Sequence, residues 1–180
     1  MKKLGMNIVK FKSDNSFLSD HFQQTYNQKI KSETLENSKS INFSINNKNQ
    51  KIEIRNHEIN FNYNCPVFFN QIFFDIQSYL LQFKFEFGDA LFFPFSNLLK
   101  KNKQIIKLNF IHNTILTLIL FNEDGFSKEE LYKIIWPNDY EISVNKLDTH
   151  FTNLKELVKL KFDINLALKS YQGSVSLIIN

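Results

Sequence analysis

The stretch "KLDTHFTNLKEL", residues 146–157, decides how this chain is read. At about 100° per residue, Leu147, Phe151 and Leu154 fall on one side of a helix. Asn145, Thr149, Thr152 and Asn153 fall on or near the other. The apolar side requires a core to pack against. The polar side is either an ordinary solvated face or a surface with a ligand, and the neighbouring segments bear on which.

Immediately upstream, residues 109–122 place Phe110, Ile111, Ile115, Leu118 and Ile119 at helical spacing, and "NEDG" closes that helix with Gly125 in the turn. Ser127 stands three residues before Glu130, the capping-box spacing, and opens a second helix with Leu131, Ile134, Ile135 and Trp136 on its apolar face. Pro137 ends it. "NDYEI" is a short loop, and Ser143 is placed to cap the third helix, residues 143–160. Downstream, "INLALKSYQGSVSLII" reads as two strands around a turn near Gln172 and Gly173. Before the helices, "FKFEFG", "ALFFPF" and "KQIIKL" alternate as strands, with Pro94 marking an edge or a bulge. The Lys-rich "LLKKNKQIIK" reads as a solvated turn between two strands; its Lys100, Lys101 and Lys103 are alternatively phosphate contacts. Small sheet, three helices and hairpin are the order of a winged helix-turn-helix. In that arrangement the last helix turns its polar face outward, where a major groove can receive it.

Further upstream, "MNIVKF" reads as a strand and "SDNSFLSDHFQQTYNQK" as a helix. "SETLENSKS" is a polar loop. "INFSI", "KIEIR" and "EINFNY" alternate as half-buried strands, and "CPVFFNQIFFDIQSYLLQ" is a helix opening near Pro66. The change from helical to two-residue period near residues 81–84 sets the expected domain boundary: 1–82 and 83–180.

Composition excludes several classes. The hydrophobic share, 43%, is enough to build a core. Arg55 is the only arginine among 22 basic residues, and with so much Asn, Ile and Phe this resembles the coding bias of an A·T-rich genome. The net charge of +4 is +3 in residues 1–82 and only +1 in 83–180. Locally, Lys146, Lys155, Lys159 and Lys161 outweigh Asp148 and Glu156 in residues 143–161. Cys65 stands alone, which excludes an intrachain disulfide and a multi-Cys zinc site. The N-terminus has no apolar run of signal-peptide length, and no apolar stretch reaches the ~20 residues of a membrane span. A cytoplasmic protein is expected, with no membrane partner. Four scattered histidines and one cysteine form no recognisable catalytic constellation, so neither an enzyme nor a bound metal or cofactor is expected.

Gly125, "SKEELYKIIWP", "LDTHFTNLK" and "LALKSYQGSVSLII" together resemble the C-terminal effector domain of OmpR/PhoB-type response regulators. That family runs from a Gly after its first helix through S/T-x-x-x-L, a V-W-G-like element and V-D-x-H-I-x-x-L-R into a wing hairpin. The resemblance covers residues 83–180. It implies an α+β fold: a winged helix-turn-helix preceded by an antiparallel sheet, in a bacterial, nucleoid-associated transcription regulator that binds double-stranded DNA. It assigns base contact to Asp148, Thr149 and Asn153, and phosphate contact to His150, Thr152 and Lys155. Lys146 joins them as part of the basic flank. Lys169, Ser170, Gln172 and Ser174 belong to the wing. It also implies a homodimer, with the loop 137–142 meeting RNA polymerase. Asn can bond adenine bidentately, a Thr methyl packs on thymine, and Asp accepts from the cytosine amino group.

Departures are visible. Asn153, Leu154 and Lys155 stand where the family has R-L-R, and "YQGSVSLI" has lost the Tyr-Arg wing strand. Lysine supplies only a point charge where arginine supplies a fork, so weaker, more salt-sensitive binding with less guanine preference follows. Residues 1–82 resemble a shortened, degenerate receiver domain of a two-component phosphorelay. The acidic pair is reduced to Ser13-Asp14, "KIEIRNHEINF" holds no acceptor aspartate, and Cys65 replaces the lysine before the proline. No phosphoacceptor is expected, and hence an atypical, phosphorylation-independent regulator. The alternative is a protein-interaction module on a winged-helix scaffold that has lost DNA binding.

Overall fold

The computed structural model describes residues 8–30, 40–122, 125–171 and 174–179. The chain divides into two compact units, Met1–Leu80 and Leu81–Asn180.

The first unit begins with β1 (Val9–Ser13), α1 (Ser16–Ile30) and β2 (Ile41–Lys48). It continues through β3 (Lys51–Arg55), β4 (Asn60–Asn64) and α2 (Phe69–Gln82), which runs into the second unit. The sheet order is β1-β2-β3-β4. β1 and β2 are parallel, whereas β2–β3 and β3–β4 are antiparallel. Ile41, Phe43 and Ile45 of β2 and Ile52 and Ile54 of β3 are buried, every second residue. Both helices cover the same face: Phe11 and Phe43 stack at 5.5 Å, Phe11 meets Phe22 of α1 at 5.6 Å, and Phe43 meets Tyr79 of α2 at 6.0 Å.

This topology corrects the receiver-like expectation for residues 1–82. A receiver is a doubly wound parallel sheet with helices on both faces. Each parallel pair needs a crossover of about a dozen residues or more. Here only Asn49 and Gln50, both at positive φ, separate β2 from β3, and residues 56–59 separate β3 from β4. Such connections permit only hairpins. Pro66 also lies before the helix, which opens at Phe69.

The second unit opens with an antiparallel sheet of β5 (Phe85–Phe87), β6 (Ala90–Phe93), β7 (Leu98–Lys101) and β8 (Gln104–Lys107), in that order. The Lys-rich segment read as a turn is therefore two paired strands, with Leu99 opposite Ile106 and Asn102 at φ 54° in the bend. Asparagine tolerates that left-handed geometry better than most residues. Pro94 makes neither edge nor bulge; it follows the end of β6, and its carbonyl accepts from Asn113 Nδ2 at 3.0 Å.

Next come α3 (Phe110–Phe121), β9 (Phe126–Ser127), α4 (Lys128–Ile135) and α5 (Val144–Phe162). The hairpin β10 (Leu166–Tyr171) and β11 (Ser174–Ile179) completes the unit. α3 is buried continuously from His112 to Ile119, as befits the central helix of a small domain. α4 begins with the complete capping box: Ser127 Oγ accepts from Glu130 N–H at 3.1 Å, and Glu130 Oε2 accepts from Ser127 N–H at 2.8 Å. Ser143, by contrast, makes no side-chain cap bond to α5. Phe126 pairs with Val175, so the hairpin gains a third strand in the order β10-β11-β9. Sheet, three helices and a three-stranded wing sheet make the second unit a winged helix-turn-helix. The whole described chain is mixed α+β. Among the described residues no helix is long and apolar enough to cross a membrane.

Candidate nucleic-acid interface

α5 packs into the second unit through Leu147, Phe151, Leu154, Val158 and Phe162, all buried. Burying a Leu, Val or Phe side chain is worth about 1.5–3 kcal/mol each, which fixes the helix's rotation and hence which residues face out. Its end is fixed as well. Asp163 closes it at φ 56° in the left-handed region. Lys101 Nζ donates to the Phe162 carbonyl at 2.6 Å while pairing with Asp89 at 2.7 Å. A cation at a helix C-terminus complements the carbonyls that have no partner within the helix.

With that rotation set, Asn145, Thr149, Thr152 and Asn153 are exposed. The Asn145 and Asn153 amides have no partner among the described residues. The threonine hydroxyls donate back into the helix, Thr149 to the Asn145 carbonyl at 2.9 Å and Thr152 to the Asp148 carbonyl at 3.0 Å. Each spends its proton inside the helix and leaves a methyl and the oxygen lone pairs for an approaching surface.

Three other expected contacts are engaged by the protein itself. Asp148 accepts from Lys128 Nζ of α4 at 2.6 Å. Lys146 donates to Asp139 at 2.9 Å and lies 4.3 Å from the Trp136 ring centroid. Asp139 also accepts from the Tyr132 hydroxyl at 2.7 Å; that bond and then Lys146 hold its carboxyl below the usual carboxylate range, while the same bond raises the Tyr132 phenol. His150, read as a phosphate contact, is half-buried, with its ring 5.6 Å from Trp136 and 5.8 Å from His112. Burial, and then Lys146, lower its pKa, so it is not held as a cation.

Lys155 and Lys161 carry no ion pair among the described residues. Lys159 pairs with Asp163 at 2.6 Å, which lowers the Asp163 carboxyl. In the wing, Lys169 and Ser170 lie on β10 and pair in register with Ser176 and Val175. Gln172, in the expected turn, lies outside the described residues. Lys128, Asp139 and His112 were not singled out from the sequence as partners of α5. Nothing in local spacing points to them, because each meets α5 only after the helices pack.

No family model and no curated protein matches the sequence. Among solved structures, the DNA-binding domain of Escherichia coli CadC is similar to 53% of this chain over 91% of its own length, with 15% identity and a TM-score of 0.43. The C-terminal domain of the nisin resistance regulator NsrR, a lantibiotic response regulator, is similar to 52% of this chain over 93% of its own, with 26% identity and a TM-score of 0.36. At such scores the assignment of the winged helix rests on this chain's own strand order and helix packing.

Proposed function

We propose that the second unit binds double-stranded DNA with α5 in the major groove and the β10–β11 wing beside it, as part of a transcription regulator. The observation that carries this reading is the outward face of α5. Among the described residues, Asn153 and Asn145 offer amides without a partner, Thr149 and Thr152 offer methyls, and Lys155 and Lys161 lie without an ion pair beyond them. Free amides match the adenine edge, methyls pack on thymine, and lysines meet phosphates. Lys146 and Asp148 have a supporting role in this reading: they tie α5 to the 137–142 loop and to α4, which fixes the angle at which the helix is presented. His150 and its neighbours act in the same way from the buried side.

The reading extends to a homodimer formed through the first unit, where Phe17 and Phe68 are 78% and 86% exposed. It also includes independence from phosphorylation, since the β2–β4 meander supplies no aspartate at a strand end. The loop 137–142, with Tyr140 fully exposed, is the surface offered to RNA polymerase. Selection of bound sequences from random duplexes tests base readout. Wild type should enrich an A·T-containing motif, and Asn153→Ala should relax one position of it, at a cost of about 1–3 kcal/mol. An unchanged motif would remove Asn153 from the readout.

A second reading has its own observation. Three α5-facing ion pairs consume Lys128, Lys146 and Lys159, while Leu160 is 81% exposed beside a groove of about 450 Å³ lined by Lys155, Leu166 and Ala167. A scaffold that docks a protein would show the same features. Under that reading the selection yields no motif at all.

A further inference from the structure

His112 and His150 stand on different helices, and their rings meet edge to face, with centroids 5.8 Å apart and planes at 75°. His112 is only 6% exposed. Its Nε2 and the Nδ1 of His150 are both buried without a hydrogen-bond partner among the described residues. Buried polar atoms are rarely left unpaired, and an exception calls for a physical reason.

The tautomer of His112 follows from its cap. Asn109 Oδ1 accepts from the His112 backbone N–H at 2.8 Å, which turns Asn109 Nδ2 toward His112 Nδ1 at 3.4 Å. Nδ1 is therefore the acceptor and the ring's single proton sits on Nε2. A second proton on either imidazole would put a full charge into the space between α3 and α5.

We propose that His112 and His150 form a proton-operated latch that fastens α5 to α3 and loosens it as the medium turns acid. His150 is the ring through which α5 touches both α3, at His112, and the end of α4, at Trp136. Among the described residues, the charged and titratable groups around it are Lys146, 4.3 Å from the Trp136 centroid, and through Lys146 the Asp139 carboxylate and the Tyr132 hydroxyl. Asp139 is already shared by Lys146 and Tyr132. Among the described residues no carboxylate acts on either imidazole; the neighbouring charges that do, Lys146 on His150 and His150 on His112, both oppose protonation. An imidazolium here meets a lysine and, among the described residues, no counter-ion.

The sign follows from linkage. Burial is the first cause that lowers both histidines in the folded state, from about 6.5 in an unfolded chain. The unfolded chain then binds more protons between the folded and unfolded values. The stabilisation is complete above about pH 6.5 and is lost as pH falls through the folded pKa. The inference does not depend on what α5 binds, so its failure and that of DNA binding are separable.

Trp136 is the only tryptophan in the chain and lies against His150, so its emission reports the latch directly, because a protonated imidazole quenches a neighbouring indole. The full chain should lose Trp136 emission as pH is lowered from about 8 to about 5, with a midpoint below about 6.5, and its urea midpoint should fall over the same window. His150→Phe keeps a ring against Trp136 and should flatten the emission curve, while the urea midpoint keeps only the part of its fall that His112 contributes. In case that variant fails to fold, the ring protons of His112 and His150 in the wild-type chain give the same answer by NMR titration. A wild-type midpoint at or above about 6.5, or a His150→Phe emission curve that follows the wild type, overturns the latch.

Discussion

Asp148 shows how a residue expected to meet a base can be engaged by its own protein. The 2.6 Å bond to Lys128 joins the start of α4 to α5, and both partners are partly exposed. Exposed pairs of this kind contribute about 0–1 kcal/mol. Asp148→Ala should therefore cost less than about 1 kcal/mol in urea unfolding. It should weaken duplex binding modestly and equally for all sequences, because the tie that sets the angle of α5 is lost. A selective loss of binding would return Asp148 to base readout. Lys155→Ala should weaken binding to all sequences alike and reduce the slope of log K against log salt by about 1. The outward positions Asn145, Thr149, Thr152 and Asn153 were legible in the sequence because helical spacing alone sets them opposite Leu147, Phe151 and Leu154. The engagement of Asp148, Lys146 and His150 was not, because Lys128, Asp139 and His112 reach them from other elements.

Among the elements, the two helices of the motif begin differently. Ser127 and Glu130 satisfy each other's backbone N–H groups, whereas Ser143 makes no such bond. Ser127→Ala should destabilise the unit by about 1 kcal/mol. Ser143→Ala should shift it by less than about 0.5 kcal/mol. Equal losses in denaturant unfolding would contradict the assignment. The capping box could be read directly because its signal is local: two residue types at fixed spacing. β7 and β9 escaped notice for opposite reasons. Lys100 and Lys101 made a strand look like a turn, and Phe126–Ser127 is too short to show a period. Its pairing with β11 is decided by a partner about fifty residues away. The short connections between β2, β3 and β4 were visible, and they favoured hairpins over a parallel sheet. The family resemblance drew the reading toward a receiver.

At the scale of the whole molecule, a β-α-β-β-β-α unit with exposed aromatics precedes a winged helix in the chain. If the first unit pairs two copies, Phe17→Ser with Phe68→Ser should shift the sedimenting species from dimer to monomer and weaken binding to two-site duplexes more than to single sites. A wild-type chain that sediments only as a monomer would contradict the pairing. In the proposed regulator α5 lies against a duplex. Its most direct test is the retention of a labelled duplex pool by the intact chain at about 50 mM and about 200 mM salt. If α5 lies against a duplex, retention is expected at the lower concentration and falls steeply at the higher, with a competitor-resistant fraction enriched in one sequence. No retention at about 50 mM would contradict it, and the groove beside Leu160 would then mark a protein-docking scaffold.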